Sequence, residues 1–119
     1  MPSVDTLINE VIQKTGGQIG MILTHVGVVR ASSRNGTPVR GVRIRVNEDK
    51  LNEILAQARA QEGIFAVKAF VREGELKVGD KVMVLLVAGD FRENVFRTLR
   101  ETLDQIKAQV TTKEEIPEG

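Results

Sequence analysis

Lys81-Val-Met-Val-Leu-Leu-Val-Ala88 is the most apolar run in the chain and reads as the central strand of a sheet. Gly89-Asp90 interrupts it and opens a helix. Asp90, with Glu93 three residues on, has the form of a capping box. Phe91, Val95, Leu99, Leu103, Ile106 and Val110 then recur at the spacing of one helical face, the pattern of a core-packing stripe. Working towards the N-terminus, Gly74 to Asp80 is a turn-rich connection with a small apolar anchor, and Ile64 to Arg72 is a strand. Asp49 to Gln61 is a helix with Leu51, Ile54, Leu55 and Ala58 on one face, closed by Gly63. Val39 to Val46 sets Val39, Val42, Ile44 and Val46 against Arg40, Arg43 and Arg45, which predicts a half-buried strand with an arginine-lined outer face. Ala31 to Pro38 is a polar loop with an Asn-Gly turn signal, and Gln18 to Val29 is a long apolar strand. Val4, Leu7, Ile8, Val11 and Ile12 form a first helix, capped by Ser3 and ended by Gly16-Gly17.

The order is helix, strand, strand, helix, strand, strand, helix, with no internal repeat and no linker. Strand pairs separated by helices predict an α+β two-layer sandwich, its helices packed on one face of a largely antiparallel sheet. A chain of 119 residues has the size of one domain, taken here as residues 1–119 with 111–119 as a polar tail.

Composition removes whole classes of chemistry. There is no Cys, which excludes disulfides, thiolate zinc sites, iron–sulfur clusters and a cysteine nucleophile. A single His makes a histidine-rich metal centre implausible, and no resident metal or cofactor is expected. The N-terminus is amphipathic and contains acids, unlike a secretory leader, and no apolar run approaches the roughly 20 residues that span a bilayer, so a cytoplasmic protein is expected. There is no Walker motif, no GxSxG and no GxGxxG. His25 lies inside an apolar strand, where a hydrogen-bonded structural histidine is the ordinary reading.

The formal net charge of +1 conceals an asymmetry. No Asp or Glu occurs between Val11 and Asn47, while five of the ten arginines lie between Arg30 and Arg45. Arginines flanking a loop suit planar oxyanions, so Arg30 and Arg34 are candidate anion contacts, with Arg92, Lys107 and Lys113 as further cations outside that stretch. Nucleic acid is the weakest of the anionic partners, because four Phe with no Tyr or Trp leave little for base stacking.

The arrangement of these residues carries a resemblance. His25-Val-Gly-Val-Val-Arg30 is similar to the "VG-x-VR" strand end of the molybdopterin synthase large (catalytic) subunit family. Val71-Arg-Glu-Gly-Glu-Leu-Lys-Val-Gly-Asp80 resembles that family's "HR-x-G-x-L-x-x-GD" segment, the most specific match. Arg92 with Phe96 resembles its "HR-x-x-x-F" helix start, and Ile106-Lys107 its "LK" near the helix end. Lys113-Glu114-Glu115 and Pro117-Glu118-Gly119 resemble its "WK-x-E" and "PEG" tail. The motifs are collinear from Gly20 to the C-terminus.

The resemblance implies a homodimer in which each copy binds a small ubiquitin-like sulfur carrier, a heterotetramer in all. It implies transfer of sulfur from the carrier's C-terminal Gly-Gly thiocarboxylate to cyclic pyranopterin monophosphate, in molybdenum cofactor biosynthesis. Lys107 and Lys113 would be the catalytic pocket lysines; Arg30 and Arg92, with Arg34 beside them, would bind substrate. Arg92 and Lys107 stand fifteen residues apart on one predicted helix, about 22 Å. That separation suggests a pocket shared across the dimer, with Arg92 and Arg30 of one subunit facing Lys107 and Lys113 of the other. Two departures stand out: Phe91 occupies the place of the family's His, and Thr111-Thr112 that of its aromatic pair. A working synthase subunit and a non-catalytic paralogue that binds a phosphorylated ligand or a ubiquitin-like partner both accommodate them.

Overall fold

The computed structural model describes residues 1–118; Gly119, the last residue of the "PEG" match, lies outside them. Three helices and six strands follow in the order α1 (Val4–Thr15), β1 (Met21–Val28), β2 (Val39–Val46), α2 (Glu48–Arg59), β3 (Ile64–Val71), β4 (Gly74–Lys77), β5 (Lys81–Gly89), α3 (Arg92–Gln109) and β6 (Thr111–Pro117). The class is α+β, and every strand pairing is antiparallel.

Strand β5 is the middle of a three-stranded sheet, β1-β5-β3, as its apolar run predicts. It lacks polar alternation, so both of its faces are buried. Met83, Leu85 and Val87 pack with Leu51, Ile54 and Leu55 of α2 and Val95 and Ile106 of α3. Val84, Leu86 and Ala88 pack with Leu7 and Val11 of α1 on the opposite side. The helices thus cover both faces of this sheet rather than one. Complete burial of side chains such as Leu85 and Leu86 stabilises the fold by about 1.5–3 kcal/mol each.

A second three-stranded sheet, β4-β2-β6, accounts for two segments that the sequence pattern left as connection and tail. Gly74–Lys77 is strand β4 because Leu76 is buried beneath β2 with Val29, Val42 and Ile44, while Glu75 faces Arg43 across the pair. Thr111–Pro117 is strand β6 and not a free polar tail: its polar residues hydrogen-bond along the other edge of β2, and Ile116 is buried. The two sheets give the molecule an elongated shape, 52 × 25 × 24 Å.

The capping expectations divide. Ser3 Oγ accepts from Thr6 N, and Gly16 ends α1 in the left-handed conformation, as expected. The capping box at α3 does not form. Phe91 is the N-cap and gives no side-chain bond, while Asp90 one residue earlier accepts from Phe91 N and Asn94 Nδ2. The bond from Asn94 holds the Asp90 carboxyl below its ordinary range. Glu93 pairs instead with Arg92 at 3.5 Å.

Gly41 fixes how closely β4 approaches β2, since a Cβ there would collide with the Leu76 carbonyl. Gly41→Ala is expected to lower stability by about 1–3 kcal/mol through this overlap alone. Urea unfolding checks it; an unchanged midpoint would mean that β4 docks loosely.

Candidate functional site

The site is built where the two sheets meet. β1 carries a register irregularity between Gly27 and Val28, opposite β5. Such a break bends the strand. Beyond it Val29 enters the small core of the second sheet, and Arg30 emerges at the surface. The Arg30 guanidinium donates to the Ser32 and Ser33 carbonyls at 3.3 and 3.0 Å, which uses part of its five-donor fork and folds the following loop back on itself. The loop closes with its own bonds: Ser33 N to Thr37 O, Gly36 N to Ser33 O, and Thr37 N to Ser33 Oγ. Gly36, at φ 85°, supplies the left-handed position of the Asn-Gly turn.

Strand pairing decides which cations face inward. Cross-strand partners project to the same side of a sheet. Ile44 is opposite Lys113 and Val42 is opposite Glu115, so both charged side chains lie on the face that Ile44 and Val42 turn towards the first sheet. Arg43 is opposite Glu114 and Glu75, and Arg45 is opposite Thr112, on the outer face. Arg43 reaches Glu114 at 3.5 Å and Glu75 at 3.9 Å, and Arg40 reaches Glu75 at 3.8 Å. These exposed pairs contribute at most about 1 kcal/mol each. Two of the five arginines in the stretch, Arg40 and Arg43, are thus paired with carboxylates on the outer surface.

Between the sheets lies an open cavity of about 560 Å³. Arg30 and Arg34 border it from the loop, Lys107 from the last turn of α3, and Lys113 and Glu115 from β6; Val42, Ile44 and Val82 supply apolar wall. A shallower depression of about 430 Å³ adjoins it, sharing Ser33, Arg34 and Glu115. Four of the five residues singled out in the sequence therefore converge in one chain. The expectation that Arg30 meets the lysines only across a dimer is corrected: the bend in β1 brings Arg30 to Lys107 and Lys113 of its own chain. Arg92 stays apart. α3 is unbroken over 18 residues, and Arg92 projects into solvent at its opposite end, its side chain 78% exposed.

Two cavity residues were not anticipated. Glu115 is the one carboxylate in the wall, and only the β2–β6 register separates it from the outward Glu114. His25 also lines the cavity, on the α3 side of β1. Its Nε2 is shielded from solvent and has no hydrogen-bond partner, so it is not the hydrogen-bonded strand histidine of the sequence reading. Burial, and then the positive charge of Lys107, lower its pKa below the ordinary 6.5. Among the described residues no three His, Asp or Glu side chains converge to hold a metal ion, and no helix is long and apolar enough to cross a membrane.

An α+β scaffold with four cations around one apolar-walled cleft has the chemistry to receive an anionic ligand. Comparison with known proteins then gives the family. The MoaE protein family model matches residues 2–109. The chain is 29% identical over 96 residues to a probable molybdopterin synthase of Haloferax volcanii; the match takes in 76% of this chain and 37% of that protein's length. The crystal structure of molybdopterin synthase from Staphylococcus aureus superposes with a TM-score of 0.81 at 20% identity, over 98% of this chain and 86% of that one. A complex of subunits 1 and 2 of molybdopterin-converting factor from Helicobacter pylori gives 0.72 at 17% identity, over 97% and 78%. The chain belongs to the MoaE family.

The lowered pKa of His25 has a consequence for stability. In the unfolded chain His25 takes up a proton near 6.5; in the fold it does so only at lower pH. The unfolded state therefore binds more protons in the intervening window, and stability falls as pH drops through it. Thermal melts between pH 8 and pH 5 should show this loss in the native chain, with a smaller loss in His25→Gln. Equal slopes for the two would contradict it.

Proposed function

We propose that this chain is the catalytic subunit of molybdopterin synthase and acts in the cytoplasm. The observation that carries the reading is the convergence of Lys107, Lys113, Arg30 and Arg34 on one cavity, in a chain matched by the family over residues 2–109. The partner is a small ubiquitin-like sulfur carrier whose extended C-terminal Gly-Gly thiocarboxylate enters the cleft. The substrate is cyclic pyranopterin monophosphate. A thiocarboxylate brings the sulfur that a chain without Cys lacks.

The residues divide by charge. Lys107 and Lys113 stand on different elements, so they can flank one anion from two sides. They hold the thiocarboxylate and stabilise the negative charge that develops as its sulfur bonds to the substrate and water then replaces that sulfur on the acyl carbon, returning the carrier as a carboxylate. Arg30 and Arg34 present guanidinium donors to the substrate phosphate. Glu115 keeps the cleft from being uniformly cationic and can orient a neighbouring ammonium. Val42, Ile44 and Val82 keep water away from one side of the reacting groups, which strengthens each of these interactions.

Arg92 joins the site from a second copy in a homodimer, and two such copies with two carriers make a heterotetramer. Support comes from its solvent-exposed position and from Phe91 and Phe96 beside it, 67% and 55% exposed. Apolar surface of that kind is normally covered by a partner. Phe91 in place of histidine bears on the other reading, a paralogue that binds the carrier without transferring sulfur.

Reconstitution separates the two. The protein is mixed with thiocarboxylated carrier and cyclic pyranopterin monophosphate, and molybdopterin is measured. Product is expected, with a fall of about 100-fold in Lys107→Ala, the scale on which a transition-state charge contact acts. Arg43→Ala, on the neutralised outer face, should leave the rate unchanged. Tight carrier binding with no product would favour the paralogue, and an undiminished Lys107→Ala rate would remove that lysine from the mechanism.

A further inference from the structure

Among the described residues, His25 is the one titratable side chain lining the cavity that neither the sequence reading nor the proposed mechanism uses. Its position is specific. It stands opposite the fully buried Leu85 in the β1–β5 pair, on the face that packs against α3. Two residues further on is Gly27, where a Cβ would stand in ordinary contact with His25 Nε2, at 3.6 Å. Nε2 is cut off from water, yet that nitrogen has no partner. A buried polar atom without a hydrogen bond is uncommon and calls for an explanation; Thr98 Oγ1 is a second such atom, outside the cavity.

The candidates for that partner are few. β5 presents only apolar side chains to this part of β1, namely Met83 and Leu85. β6 presents Lys113 and Glu115, and the loop after β1 presents Arg30 and Arg34. α3 presents Lys107, which lines the same cavity as His25. Of these, Lys107 is the cation whose charge reaches the imidazole strongly enough to oppose its protonation. An ammonium has only donors to offer, and a neutral imidazole has one acceptor nitrogen.

We propose that His25 is a positioning residue for Lys107: its neutral imidazole keeps a lone pair on Nε2, which accepts an N–H of the Lys107 ammonium when an anion occupies the cavity. The bond sets the direction of the remaining ammonium N–H groups, which point to the anion. Protonation of His25 removes the acceptor and replaces it with a like charge, so the site weakens on the acid side. This assignment rests on the reading of Lys107 as an anion contact in sulfur transfer; the pairing itself can be measured without turnover.

The chain has one histidine, so its imidazole signals need no assignment. Long-range ¹H–¹⁵N correlation spectra of the full chain, recorded from pH 8 to pH 5, should show Nε2 unprotonated at neutral pH and a titration midpoint below 6.5 that rises in Lys107→Ala. A protonated Nε2 at neutral pH, or a midpoint indifferent to Lys107→Ala, overturns the pairing. In the reconstituted synthase, His25→Leu should lose about tenfold in rate, and His25→Gln, whose amide oxygen is also an acceptor, should recover most of it. His25→Gln should also flatten the fall in rate from pH 8 to pH 6. A His25→Leu enzyme with the native rate and native pH profile overturns the positioning role. If the spectra show the Lys107 coupling but no variant or native protein makes product, the pairing stands and the synthase reading fails.

Discussion

Strand β2 must satisfy its backbone along both edges, and that requirement organises the half of the molecule that carries the site. Its inward side chains, Val42 and Ile44, need an apolar face to pack on, while its outward arginines need solvent or carboxylates. β4 on one edge and β6 on the other meet both demands at once. Each supplies ladder hydrogen bonds, and each supplies a glutamate, Glu75 and Glu114, opposite Arg43. Because side chains alternate along a strand, fixing Glu114 outward fixes Lys113 and Glu115 inward. A slip of one residue would turn Lys113 to solvent and bring Glu114 into the cavity. The catalytic assignment of Lys113 thus depends on a pairing whose energetic basis lies elsewhere in the sheet.

The elements legible from sequence were those with a strong period. β2 was read to the residue, and α1, α2, α3 and the central place of β5 followed from apolar spacing. What was missed lacked such a signal. β4 has a single buried side chain, Leu76, and β6 has only Ile116, so neither shows the alternation that marks a half-buried strand. Their strand conformation is imposed by β2. The capping box failed for a related reason: Asp90 is drawn into a bond with Asn94 over Gly63, which local sequence does not encode.

The site was legible as a set of cations but not as a geometry. Arg30, Arg34, Lys107 and Lys113 come from three segments, the loop after β1, α3 and β6, and nothing in their spacing says that they share one cleft. The bend in β1 at Gly27 and Val28 is what redirects Arg30 towards the lysines, and the sequence shows it only as a glycine in an apolar run. His25 was misjudged because a polar residue in an apolar strand ordinarily finds a hydrogen-bond partner. Its failure to do so became visible only with Gly27, Leu85 and α3 placed around it.

Helix α3 sets a further constraint, because a straight helix of 18 residues is about 27 Å long. Its last turn delivers Lys107 to the cavity of its own chain, and its first turn holds Arg92 with Phe91 and Phe96 well outside. No side chain can bridge that distance, so a single chain offers a cleft at one end of α3 and an exposed cation beside apolar surface at the other. The two ends can serve one reaction only if a second copy brings the Arg92 end to the cleft. On the proposed reading, one chain supplies four of the five cations to the cleft, and Arg92 would reach it only from the second copy. The departure at Phe91 falls at this second end, away from the four converging cations.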